Sequence, residues 1–381
     1  MQLAIVVILG FLATVAFMAT RVSVTLLALQ SGASAFEVGA LFAGFSLLQV
    51  TLGVWGGRWV DRAGLRLPGL VGGLLTLAGL AAVMISPGMA SLAFCAAAAG
   101  SMMLYSVTGL AAVAGQLGDS TRRTANIAWF MFGNSAGLAV GPVLAGFGFD
   151  LLGTRAVFGL IALFPAGIVL ILWRSGGQFR HTARAPTAGR TGMLQLALSP
   201  GVRPALIVSL FGPLIYEMFT YVVPVLGSAA GLSASQIGIV LGSSSAVSLL
   251  TRATLPRLAR RLKEWTVAWA TYLVGGSAFF MLAWSESMLP MLAIAMVIGV
   301  THGVGNPILM SLYHASLPRE RQAEMFGLRG VLGSSVLGCA PALVGALSAA
   351  LGMTPVLGLV AAGTYALSGY AWRKAPTREP A

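Results

Sequence analysis

The chain has 381 residues, of which 57% are hydrophobic and only 9% charged, and its mean hydropathy is +0.89. Soluble domains carry charge on about one residue in four, so a water-soluble enzyme, or a large catalytic domain outside a bilayer, is excluded. A formal net charge of +13 would point to nucleic acid in a soluble protein; in so apolar a chain the position of each charge decides instead, and no nucleic-acid partner is needed.

Apolar runs separated by short polar punctuation predict twelve helices, over 3–29, 37–56, 67–86, 90–115, 124–148, 154–173, 203–229, 236–255, 265–284, 288–314, 325–349 and 354–372. Runs of about 20 residues match a hydrocarbon core roughly 30 Å thick, which predicts a polytopic all-α membrane protein. The first run is longer than a signal h-region and has no basic n-region, so it is expected to stay as the first helix. Glycine and proline recur inside the runs, as helix packing in lipid allows. Cys95 and Cys339 both fall in apolar stretches and read as small packing residues, with neither a disulfide framework nor a metal site in view.

Following the chain, ionisable residues inside spans are few, and each costs roughly 2.5–3.5 kcal/mol to insert. Arg21 lies late in the first span, Glu217 in the middle of the seventh and His302 in the middle of the tenth. Twenty of the 23 Lys and Arg residues fall on alternate connections, which predicts both termini and the long middle connection on the cytoplasmic side of a bacterial inner membrane. That connection, 174–202, has little apolar periodicity and reads as a linker between a bundle over 1–173 and a second over 203–381 with a short tail. The halves match at a constant spacing of 199 residues, which pairs "GASAFEVG" from Gly32 with "GLSASQIG" from Gly231, Pro142 with Pro341, Gly146 with Gly345 and Gly153 with Gly352. One offset held through several loops indicates duplicated halves.

After the second span the sequence reads Gly57-Arg-Trp-Val-Asp61-Arg62-Ala-Gly64-Leu-Arg66, and with the repeat and the linker it resembles the major facilitator superfamily of secondary transporters. The resemblance implies twelve transmembrane helices in two pseudo-symmetric six-helix bundles. It also implies a conformational gating role for Gly57, Asp61, Arg62, Gly64 and Arg66, with Leu65 at a position that is usually basic. Arg329, at the start of the eleventh span, is a candidate partner for Asp61 in a cytoplasmic gate. In the fifth span Gly137, Gly141, Pro142 and Gly146 resemble the superfamily's antiporter motif, with Phe147 in place of its last glycine, while the fourth span lacks the intramembrane arginine of that type.

Spans 1, 4, 7 and 10 line the central cavity in the resembled family. The resemblance therefore makes Arg21, Tyr105, Glu217 and His302 candidate substrate contacts, with Asn134, Tyr216, Tyr221 and Asn306 as further hydrogen-bonding groups. Arg21 suits a carboxylate or phosphate, and equally suits a counter-ion role toward Glu217. Glu217 and His302 are the candidate proton carriers. Arg252, a turn from a cytoplasmic end, is expected to snorkel outward. No catalytic group, cofactor or metal ligand set is expected, and no Gly-rich loop ends in Lys-Ser/Thr. The expected partners are a small-molecule substrate, a coupling proton and lipid, in a monomer. The leading reading is proton-coupled export of a small organic molecule. An uptake symporter or exchanger for an organic anion is the alternative, and a non-transporting receptor or assembly factor a minor one.

Overall fold

Among the described residues five glycines adopt positive φ, and four of them are related by the 199-residue spacing: Gly32 and Gly231 at 82° and 75°, Gly153 and Gly352 at 83° and 85°. Left-handed backbone favours a residue without Cβ, and these four glycines end helices at equivalent points of the two halves. At the first pair the chain closes with matching bonds, Ala33 N–H to the Ala28 carbonyl and Leu232 N–H to the Gly227 carbonyl, both at 2.9 Å. The following helices start with matching caps. Ser34 and Glu37 exchange a capping box at 3.3 and 2.7 Å, as Ser233 and Gln236 do at 3.2 and 2.9 Å.

A computed structural model describes residues 2–105, 109–117, 123–175, 193–258, 263–318 and 321–375. The helices are α1 (Gln2–Gln30), α2 (Ala35–Ala63), α3 (Arg66–Ile85), α4 (Met89–Tyr105), α5 (Ala111–Gln116), α6 (Arg123–Arg174), α7 (Met193–Leu198), α8 (Arg203–Ala229), α9 (Ala234–Leu258), α10 (Glu264–Leu282), α11 (Met288–Ala315), α12 (Gln322–Leu351) and α13 (Met353–Lys374). The positive φ of Gly153 breaks α6 into the fifth and sixth spans, and α4 with α5 carries the fourth. The expected linker contains one short helix, α7, whose Ala197 is buried.

In the first half α1 packs on α6 and α4, and α3 on both α4 and α6; in the second α10 packs on α13 and α11, and α11 on α9 and α8. The halves meet mainly through two crossings, α2 with α12 and α6 with α9, with α8 touching α1 and α2 between them. Both crossings are built on glycine against backbone. A Cβ on Gly39 would lie 2.5 Å from the Pro341 carbonyl oxygen, and one on Gly345 2.4 Å from that of Ala35. The same spacing reproduces the other crossing, where a Cβ on Gly238 would lie 2.5 Å from the Pro142 oxygen and one on Gly146 2.3 Å from that of Ala234. Lipid tails are as apolar as side chains, so helices in a bilayer associate by close packing and polar contacts.

At the α6–α9 crossing a further contact has no symmetric counterpart. The Asp150 carboxylate, at the turn ending the fifth span, accepts the N–H groups of Ala234 and Ser235 at 3.2 and 2.8 Å. It thereby caps the N-terminus of α9, where the helix dipole favours an anion; the equivalent position on α12 is Ala349.

Overpacking a tight contact costs about 1–3 kcal/mol. Gly146→Val and Gly345→Val are expected to lose stability on that scale. Gly363→Val, whose added carbon meets open space, should stay within ~0.5 kcal/mol of the parent. Denaturant unfolding of the three variants in one detergent checks this, and equal losses in all three would contradict it.

Candidate functional site

The charged centre lies between the bundles. Arg21, on α1, is 4% exposed, and its guanidinium donates through both terminal nitrogens to the Glu217 carboxylate on α8, one of the two bonds measuring 3.2 Å. Two parallel charge-assisted bonds are the favoured geometry for this pair. The same guanidinium sits over the Phe42 ring at 4.2 Å, a cation–π contact with α2. Phe42 packs edge-on against Tyr221 at 5.2 Å, and Phe17 against Phe45 at 5.6 Å. The Tyr221 hydroxyl donates to the Ala35 carbonyl at 2.8 Å. An aromatic plug thus covers the ion pair on the side of the glycine crossings. Tyr221 belongs to that closure and joins α8 to α2, although its residue type alone suggested a hydrogen bond inside the cavity.

A second polar cluster lies on the α8 and α11 side. Tyr216 stacks on His302 with centroids 4.3 Å apart, and its hydroxyl pairs with the Ser245 hydroxyl at 2.7 Å. Tyr216, His302 and Asn306 line a small cavity with Thr271, Thr301 and Gly212, of about 10 Å³. That is room for roughly one water molecule. His302 and Asn306 are half-buried.

From the first half, Asn134 on α6 accepts the Thr14 hydroxyl at 2.8 Å, binding α6 to α1. The glycines of the fifth span, on α6, explain that fit, since a Cβ on Gly137 would meet Thr14 at 2.7 Å and one on Gly141 would meet Met18 at 2.7 Å. Pro142 and Gly146 turn instead toward α9 at the crossing described above.

Two arginines make contacts not foreseen from the sequence, and the expected partner of Arg329, the side chain of Asp61, lies outside the described residues. Arg329 donates to the Ser209 hydroxyl and carbonyl at 3.0 and 2.5 Å, tying α12 to α8 inside the second half. Arg252 turns inward rather than snorkelling: it donates to the Ser135 hydroxyl of α6 at 3.3 Å, and its Nε is buried without a partner. The side chains of Tyr105, Asp61 and Arg62, and Gly57, lie outside the described residues. Gly64, with φ 72°, ends α2, and Arg66 donates to the Trp173 carbonyl at 3.2 Å, anchoring this turn to the end of the sixth span.

A larger concavity lies elsewhere among the described residues. A groove of about 720 Å³ between α6 and α9 is lined by apolar groups including Val140, Val143, Phe147, Leu151, Ile239 and Ala246, and no ionisable side chain enters it. At membrane depth such a surface faces lipid.

A family profile described as Major Facilitator Superfamily matches residues 6–342. No curated protein matches by sequence. Among solved structures, a POT family transporter in complex with 5-aminolevulinic acid superposes with a TM-score of 0.79 at 14% identity, covering 99% of this chain and 97% of that one. The peptide transporter POT in complex with sulfate gives 0.77 at 15%, covering 98% and 94%. At such identities the likeness concerns the fold.

Removing one partner of a buried ion pair strands the other, at a cost on the order of 3 kcal/mol. Arg21→Gln and Glu217→Gln should each lose stability on that scale, and the double variant should recover most of it. A double-mutant cycle by thermal unfolding measures this; additive losses would show that the pair is not coupled.

Proposed function

Because the chain belongs to the Major Facilitator Superfamily, and is therefore a membrane transporter and not an enzyme, we propose that it moves a small organic molecule by proton-coupled alternating access. The rocking bodies are the bundles over 1–173 and 203–381. The observation that carries this reading is the Arg21–Glu217 pair, whose members belong to opposite bundles.

Opening the closed end separates α1 from α8 and so parts the two charges. Parting a buried pair is costly unless both charges are compensated. A proton on Glu217 removes one, and a substrate group on Arg21 offsets the other. Substrate and proton are then coupled through a single ion pair, with no further relay required. Glu217, 18% exposed, is the member a proton can reach; Arg21, 5% exposed, is held by Phe42.

With alternate connections cytoplasmic by the positive-inside rule, the aromatic plug and both glycine crossings seal the outer end. The termini then lie in the cytoplasm, as a bacterial inner-membrane transporter requires. Export is the leading direction, supported by the way Gly137, Gly141, Pro142 and Gly146 hold α6 between α1 and α9. Uptake of an organic anion is the second reading, favoured by the guanidinium groups facing the centre and by the 5-aminolevulinic acid and sulfate held by the POT neighbours.

In proteoliposomes, a pH gradient should drive substrate accumulation by the parent protein. Glu217→Gln should abolish that accumulation while leaving downhill substrate exchange measurable. Everted vesicles fix the direction, since export loads their interior. Undiminished gradient-driven accumulation in Glu217→Gln would reject the coupling.

A further inference from the structure

Arg21 and Arg252 differ in one respect that bears on the cargo. Arg21 is neutralised by Glu217, whereas Arg252 faces no carboxylate among the described residues. Its hydrogen bond goes to a neutral hydroxyl, Ser135 on the opposite bundle, and its Nε is buried and unpartnered. Tyr216 and His302 are its electrostatic neighbours, and neither brings a formal negative charge at neutral pH. The centre of the protein therefore holds two cations and one anion among the described residues.

A guanidinium withdrawn from water without a counter-ion is costly, and the cost falls when an anion supplies the missing charge and accepts the free N–H groups. Snorkelling to the headgroups would relieve it equally well, and the stem of Arg252 is long enough; the side chain instead bends across the α6–α9 crossing toward Ser135. That position lies between the two bodies that move, where a bound group touches both.

We infer that Arg252 is the anion anchor of the transport site: it binds an oxyanion of the cargo, a carboxylate or a sulfate- or phosphate-type group, with Ser135 opposite it. This rests on the reading of the central polar region as the transport site and narrows its cargo to organic anions. Arg21 keeps its place in the coupling pair with Glu217, and Arg252 adds a second cation that recognises the anion from the α9 side.

The test is binding to purified full-length protein in detergent, without a gradient, so it stands apart from the coupling experiment. Thermal stability is titrated with sodium sulfate and with sodium butyrate, against choline chloride at equal ionic strength and against neutral butyramide. Phosphatidylglycerol micelles form a further arm.

Sulfate or butyrate should stabilise the parent saturably while butyramide does not. Arg252→Gln should raise the half-saturating concentration about tenfold or more. Arg252→Lys, which keeps the charge, should lose less, and Arg66→Gln, at the protein's edge, should bind as the parent does. If Arg252→Gln does not fold, Arg252→Lys and Ser135→Ala carry the test, and each should weaken binding where Arg66→Gln does not. The proposal is overturned if no soluble anion stabilises the parent, if butyramide matches butyrate, if Arg252 variants bind unchanged, or if phosphatidylglycerol alone stabilises.

Discussion

Backbone lying directly on backbone, at four glycines and four carbonyls, sets what the rest of this molecule can do. Gly39, Gly146, Gly238 and Gly345 admit the facing helices so closely that a single methyl group would collide. Such contacts gain dispersion energy over a small area and need no side chain to be desolvated when they part. A seal of this kind holds firmly when shut and releases without stranding polar groups. The two crossings are images of one another, so neither half is the fixed frame and neither is the lid.

Beneath that seal the charges are arranged in order of depth. Phe42 and Tyr221 close over Arg21, Arg21 holds Glu217, and Tyr216 with His302 forms a stacked wall further along α8 and α11. In the upper part the Arg21–Glu217 pair and the contacts of Tyr221 with Phe42 and Ala35 join different bundles, whereas Tyr216, His302 and Asn306 all lie in the second half. Interactions across the divide report which state the protein is in, and those within one half can hold a bound molecule through the change. A cation without a local anion then sits where both descriptions apply, reaching from α9 to α6.

Much of this was legible in the sequence because its signals are periodic or covalent in origin. Hydropathy sets span lengths through bilayer thickness, so the helices fall close to their expected limits. The constant spacing between halves carried over to turns, caps and crossings, since duplicated sequence repeats its backbone chemistry. The pairing of Arg21 with Glu217 was readable as one of two alternatives because charges in lipid seek each other. Side-chain direction was not. Tyr221 and Tyr216 lie five residues apart on one helix, and only the neighbouring α2 and α11 decide that one closes a gate while the other stacks on His302. Arg252 sits where snorkelling is the ordinary outcome, and nothing local announces that Ser135, more than a hundred residues earlier, draws it inward. Arg329 likewise found Ser209 on α8, a contact that no spacing in the sequence encodes.

The acidic cap on α9 bears on how the α6–α9 crossing responds to pH. Burial of Asp150 alone would raise its pKa, but bonds from Ser235, Ala234 and Ser233 outweigh that and hold the carboxyl below the ordinary aspartate value. A carboxyl with a depressed pKa contributes its stabilisation above the unfolded value and loses it only as pH falls through the folded one. Mild acidification therefore leaves this latch ionised and fastened, and a proton that loosened the crossing would have to bind at another group.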